Sequence, residues 1–168
     1  TADAAAAFAQ TSAQAYGGLD AAINIASVSQ DEIEAVAGDR DLDALVAAKL
    51  GPLAQLTRVT ANRMSLILSE GLVLNVLNLP HPRNGREAAI AGYVRTALAA
   101  MTAKEAREWA PKGLRVNAVG PCVIDGGGFN AGAVLTNEPD VASLALYLAS
   151  RKGRSLSGHV FDADGMAC

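Results

Sequence analysis

The segment that does most to decide the fold is WAPKGLRVNAVGP, residues 109–121. Apolar residues with helical spacing lead into it from residue 88 and end at Trp109, because Pro111 cannot continue a helix. Residues 114–119 then form a short apolar run, which is typical of a buried strand. The segment is therefore a junction between a long amphipathic helix and a strand, the unit from which α/β folds are built.

The same alternation of helix and strand extends in both directions from this junction. Short apolar runs predict strands at residues 19–25, 72–77, 114–119 and 159–162. The first predicted helix covers residues 4–16, capped by Asp3 and stopped by Gly17, and a short one follows with a Ser29/Glu32 capping box. Longer helices are predicted at 53–68, with Pro52 in the first turn, and at 88–109. A last helix starts at Asn137. Strands separated by helices require right-handed crossovers. The sequence therefore predicts an α/β fold with a parallel sheet, in a single domain over residues 1–168.

Composition excludes several classes of protein. The 168 residues are 51% hydrophobic and 18% charged, which is too apolar for a disordered chain and sufficient for one core. No run approaches the roughly 18 consecutive apolar residues of a membrane span, and the Ala-rich start lacks the basic region of a signal peptide. The net charge of −3 argues against nucleic acid as a partner. We expect a cytoplasmic domain that binds neither membrane nor nucleic acid.

Three segments resemble the short-chain dehydrogenase/reductase family. They are YGGLD at residues 16–20 leading into INIA at 23–26, the segment 109–121 quoted above, and SGHV at 157–160 followed by Asp164 and Gly165. Their order and spacing agree with the family from end to end. The resemblance implies a three-layer, Rossmann-like parallel sheet with about four strands retained. It also implies truncation at the N-terminal side, where the family's Gly-rich cofactor turn would lie.

The resemblance also places the family's four active-site positions. The Tyr position, a general acid/base, falls on Ala91. The Lys position, which lowers the pKa of that Tyr and holds the cofactor ribose, falls on Arg95. The Ser position falls on Asn78, and the Asn position at or next to Ala48. None of the four roles is filled, so we expect no catalytic residue and no cofactor, with NAD(P) bound only if an N-terminal half exists.

Other reactive side chains have more ordinary interpretations. Tyr93 follows Ala91 by two residues, a rotation of about 200° around the helix, and is expected to point away and pack against another helix. His81 is expected to be a solvated loop residue and His159 a capping or interface residue. Asp162 and Asp164 resemble turn residues.

The remaining candidates suggest no metal or thiol chemistry. Cys122 and Cys168 form neither a disulfide scaffold nor a metal motif, and no base is visible for a Cys122 nucleophile. No cluster has metal-ligand spacing. The glycines at 126–128, with Gly132, predict a flexible loop rather than an anion nest. The residues grouped as a possible vestigial cleft are Asn24, Asn78, Arg95, Pro121 and Cys122.

Three functions follow as hypotheses. The first is a non-catalytic, structural subunit in a homo-oligomer, or in a hetero-oligomer with an active dehydrogenase of the family. The resemblance implies that the long helices serve oligomerisation and that strand 19–25 is left as an open, apolar edge. The second is an NAD(P)-dependent oxidoreductase whose N-terminal half is missing from this sequence. The third is a small-molecule binding module that uses the cleft beside Asn78, Arg95 and Cys122.

Overall fold

Four parallel strands form one sheet in the computed structural model, which describes residues 2–66, 70–122 and 135–164. The strands are β1 (Ala21–Ser27), β2 (Leu72–Asn78), β3 (Arg115–Pro121) and β4 (Val160–Ala163), in the spatial order β1-β2-β3-β4. All three neighbouring pairs are parallel. The α/β fold class and the four strands are confirmed, with strand boundaries shifted by one or two residues.

Five helices connect and flank the described strands: α1 (Ala2–Tyr16), α2 (Gln30–Glu34), α3 (Asp39–Leu66), α4 (Gly85–Trp109) and α5 (Glu138–Ala149). Two short 3₁₀ turns follow α4 and α5, at Ala110–Lys112 and Arg151–Gly153. The capping box at Ser29 and the cap at Asn137 are both present as predicted. Helix α1 begins at Ala2, one residue before the predicted cap Asp3.

Helix α3 starts much earlier than the sequence suggests. It begins at Asp39, so Pro52 lies inside the helix and not in its first turn. An interior proline removes one backbone hydrogen bond and costs about 3 kcal/mol. Leu45, Leu50 and Leu53 lie on both sides of this proline and are buried in the core. Their burial offsets the free-energy cost of the interior proline. The prediction that Pro52 marks the first turn of the helix is therefore wrong. Residues 67–69, part of the predicted helix, lie outside the described residues.

The sheet has a different cover on each face. On one face, Leu77, Ala118 and neighbouring side chains pack against α3 and α4. On the other, Leu74, Val76 and Val119 pack against α5 through Val141, Ala145 and Leu148. This arrangement gives three layers around β2 and β3. Helix α1 packs on α3.

Strand β1 is an edge strand, and on its second face no described helix covers its two isoleucines. Ile23 and Ile25 point to the same face as Leu74 and Val76, yet they are 49% and 64% exposed. Among the described helices, none is long and apolar enough to cross a membrane.

Candidate functional site

The carboxyl ends of the strands bring together part of the cleft predicted from the sequence. Asn78 ends β2 and Pro121 ends β3, with Cys122 directly after it. Helix α4 passes closely over the end of β3, because Gly120 lacks a side chain where a Cβ would lie 2.8 Å from Leu98. This close approach carries Arg95 to the end of β3.

Arg95 is held by contacts within the fold. Its Nη1 donates to the Pro121 carbonyl at 2.9 Å, and Nη2 lies 3.5 Å from the Val160 carbonyl. The guanidinium also forms an ion pair with Asp162 of β4, with both side chains partly buried. Arg95 therefore links α4 to the ends of β3 and β4. It is not a solvated surface residue, and Asp162 is a strand residue rather than a turn residue.

Asn24 does not belong to this edge. It lies in the middle of β1, 8% exposed, and its Nδ2 donates to Asn75 Oδ1 at 2.9 Å. Thr57 of α3 completes this buried polar group by exchanging hydrogen bonds with Asn75. The grouping of Asn24 with the cleft is therefore wrong, because side chains alternate along a strand and this one is turned into the layer under α3.

Two of the positions that the resemblance gives to catalytic side chains hold alanines in different settings. Ala91, on the buried face of α4, is 3% exposed and packs in the core. Ala48 lies on an exposed part of α3. A methyl group at either place can neither donate nor accept a proton. Asn78 Oδ1 is buried and has no hydrogen-bond partner in the described part of the chain.

Tyr93 points away from Arg95, as predicted. Its hydroxyl donates to Asp43 Oδ1 of α3 at 2.8 Å. The hydrogen bond and the negative charge of Asp43 raise the pKa of this phenol above its ordinary value. A general acid/base needs the opposite shift to work near neutrality.

The thiol of Cys122 is also in an unreactive setting. Burial, followed by the negative charge of Asp162, raises its pKa. A raised pKa keeps the sulfur protonated, whereas the nucleophile is the thiolate.

A charged network that sequence reasoning missed anchors the loop between β2 and α4. Glu87 accepts hydrogen bonds from the backbone and side chain of Arg83, at 2.8 Å and 3.0 Å. Arg83 also donates to Glu34 of α2 at 2.5 Å. The Arg83 contacts lower the pKa of Glu87 to about 2. The one signal for it in the sequence is Glu87 three residues after Asn84, the helix cap whose side chain accepts from the Glu87 N–H.

Both histidines lie near strand ends and are exposed. His81 Nδ1 lies 2.9 Å from Asp164 Oδ1, which joins the loop after β2 to the end of β4. The backbone N–H of His159 donates to Asn117 Oδ1 just before β4 begins. In the described ranges, no group of three His, Cys, Asp or Glu side chains could hold a metal ion. The glycines at 126–128, Gly132, Gly165 and Cys168 lie outside these ranges.

Comparison with known proteins gives a consistent result. A family model described as enoyl-(acyl carrier protein) reductase matches residues 1–165. No curated protein sequence matches the chain. Similar solved structures include a short-chain dehydrogenase from Mycobacterium avium, 24% identical, with a TM-score of 0.60, 98% of this chain covered and 57% of that one. The chain thus spans less than two thirds of that protein.

Two further structures extend the comparison. An enoyl-[acyl-carrier-protein] reductase (NADH) from Aquifex aeolicus is 17% identical, with a TM-score of 0.69, and the match covers 98% of this chain and 69% of that one. A short-chain dehydrogenase from Burkholderia cenocepacia, solved in complex with NADP, is 22% identical, with a TM-score of 0.65 and coverages of 99% and 72%. At these identities the structural likeness shows a shared fold.

Proposed function

The chain belongs to the short-chain dehydrogenase/reductase family, and from that premise we propose that it is a non-catalytic member acting as an assembly subunit or domain of an oligomeric dehydrogenase. The observation that carries this proposal is the state of Arg95, which stands where the family has its lysine. Its guanidinium is committed to Asp162 and to two strand-end carbonyls. The position has become a structural link between helix and sheet.

The same contacts argue against a nicotinamide cofactor at this edge. The family's lysine holds the cofactor ribose, which requires donors directed into the cleft. Here those donors point to Pro121, Val160 and Asp162. Ala91, one turn earlier, supplies no proton donor. These residues therefore do not fit the cofactor.

The open edge at β1 supports assembly. Its strand sequence, AAINIAS, carries no charge and no proline, the usual protections of an edge strand. Ile23 and Ile25 are exposed next to this edge, on the face of the sheet that α5 covers over β2 and β3. An uncharged parallel edge beside two exposed isoleucines favours pairing with another polypeptide, which is either a second copy or an active dehydrogenase subunit.

Affinity capture from the source organism tests the proposal. The purified chain is expected to capture an NAD(P)-dependent dehydrogenase activity or to sediment as an oligomer. Ile25→Lys should weaken that association at least about tenfold, because it buries an unpaired charge. Leu146→Lys, which places the same charge on α5 at a leucine that is 74% exposed, is the matched control. A homogeneous monomer that captures no activity contradicts the proposal.

A second candidate is an NAD(P)-dependent oxidoreductase completed by a further segment. It is favoured by one observation, that the chain spans only 57–72% of the solved structures described above. Thermal unfolding with added NADP⁺ separates the two candidates, since a ligand bound to the folded state must raise the melting temperature. A rise with the isolated chain contradicts the non-catalytic proposal. The intact mass of the natural polypeptide tests whether such a segment exists.

A further inference from the structure

A groove runs along the opposite end of the sheet, where the strands begin. One cavity, of about 300 Å³, is lined by Glu70, Ala110, Gly113, Leu114, Arg115, Arg154 and Ser157. A second, of about 460 Å³, is lined by Ala103, Ala106, Arg107, Ala110, Ser157 and Gly158. The two share Ala110 and Ser157, so they adjoin, and together they are called the groove. Volumes of this size accommodate small molecules.

The groove is positively charged although the chain as a whole is negative. Arg107, Arg115 and Arg154 line it, and Glu70 is the one acidic residue among its lining residues in the described part of the chain. The net charge of the whole chain is −3. The local excess of positive charge in a concave surface attracts anions.

Arg115 is fixed in place and partly removed from water. Its Nη1 donates to the Leu148 and Gly153 carbonyls at 2.7 Å and 2.8 Å, which locks the guanidinium beside the groove. Burial lowers the pKa of this guanidinium, the charge of Glu70 raises it, and the charge of Arg154 lowers it. A partly buried guanidinium group that is repelled by a second one is stabilised by an anion placed between the two.

The acidic residue that partly balances these charges is replaceable. Glu70 lies 3.2 Å from Arg154, and the two side chains are 69% and 62% exposed. Exposed pairs of this kind contribute little to stability, so an incoming anion can take the place of Glu70. Ser157 Oγ already accepts from the Val116 N–H. Its own hydroxyl hydrogen can be donated to a ligand in the groove.

We propose that this groove binds a small molecule through a phosphate or carboxylate group, which Arg115 and Arg154 hold in place of Glu70. Guanidinium groups match both anions because each accepts paired hydrogen bonds from the planar fork. The uncharged part of the ligand lies along Ala103 and Ala110 at the end of α4. The site is separate from the assembly surface, since none of its lining residues belongs to β1.

Inorganic phosphate is the first probe, titrated into the full chain and followed by calorimetry and by thermal unfolding. Arg154→Gln should weaken phosphate binding about tenfold, because a charge-assisted hydrogen bond is lost. Glu70→Gln should strengthen it roughly threefold, because the competing carboxylate is removed. Arg151→Gln removes the same charge nearby on an exposed residue outside the groove and should change binding less than about twofold.

The opposite signs of the two groove variants make the test decisive. If neither phosphate nor acetate binds, if Arg151→Gln weakens binding as much as Arg154→Gln, or if Glu70→Gln fails to strengthen it, the proposal is overturned. A parallel titration with acetate identifies the anion. Tighter phosphate binding supports a phosphate ester as the ligand, and tighter acetate binding supports a carboxylic acid. Unfolding curves without ligand establish that each variant is folded.

Discussion

Strands β1 and β2 are neighbours of equal length with opposite surroundings. They pair in register over seven residues, and each has an asparagine at its fourth position, so that Asn24 faces Asn75. Six of the seven residues of β2 are buried, whereas Asn24 is the one buried residue of β1. The difference lies in what covers them, since α5 packs over β2 but not over the isoleucines of β1. An apolar strand is thus a core element or an open surface depending on its neighbours.

The largest expected effect comes from truncating one apolar side chain in each strand. Leu74→Ala should lower the free energy of unfolding by about 2–5 kcal/mol, because Leu74 is fully buried and a cavity remains. Ile25→Ala should cost less than about 1 kcal/mol, because that side chain is already mostly in water. Urea unfolding at low protein concentration measures both.

Protein concentration then sharpens this contrast. If β1 is covered in an oligomer, the cost of Ile25→Ala should grow as concentration rises, while that of Leu74→Ala should stay nearly constant. Equal costs for the two variants at low concentration would show that β1 is covered within the monomer, against the structure.

The asparagine pair gives the next largest effect. Asn75→Leu should cost roughly 1–3 kcal/mol, because Asn24 and Thr57 both lose the partner that satisfies them beneath α3. Asn62→Leu, on an exposed position of the same helix as Thr57, is the control and should be close to neutral. If Asn75→Leu is as stable as the parent chain, the polar group does not hold β1 to β2.

The smallest expected effect on stability comes from the charged network that joins the segments after β1 and β2. Helix α2 comes after β1 and α4 after β2, and the Glu34–Arg83–Glu87 network joins them. The pKa of Glu87 is lowered from 4.5 to about 2 in the folded chain, mainly by Arg83. A carboxyl group whose pKa is lowered by folding stabilises the fold at pH values above its unfolded pKa. This stabilisation is lost as the pH falls towards its folded pKa. The stabilisation from Glu87 should therefore disappear between pH 4.5 and pH 2.

Melting temperatures of the parent chain and Glu87→Gln across that pH range measure this loss. The parent should be the more stable at about pH 6, and the difference should shrink as the pH falls towards the folded pKa of Glu87. Glu108→Gln, in an exposed pair with Lys104 at the other end of α4, is the control and should have little effect near neutrality. A difference that stays constant with pH would show that Glu87 acts through packing alone.

Several features were readable from the sequence because their causes are local. The capping residues Ser29 and Asn137 bond to backbone N–H groups within three residues, so short spacing suffices to predict them. The strands follow from unbroken apolar runs, and the parallel sheet follows from the helices between them. The family's active-site positions are assigned by counting along the chain, and residue identity alone then shows that Ala91 and Ala48 cannot transfer a proton.

Other features needed the tertiary structure because their causes are distant in sequence. Pro52 marks a helix start by local rules, yet core packing of the leucines around it keeps α3 continuous. The ion pair between Arg95 and Asp162 could not be predicted from the local sequence, because β4 brings the two residues together. The local sequence also groups Asn24 with the cleft, whereas the sheet places Asn24 opposite Asn75.

The sequence by itself determined the order of elements and the parallel sheet, since hydrophobic periodicity is a property of the chain. Which face of β1 is exposed, which charges are paired and where a cationic groove forms were decided only by the tertiary structure. Burial and the distance between charges depend on residues far apart in sequence, and these two quantities set the energy of every polar contact described above.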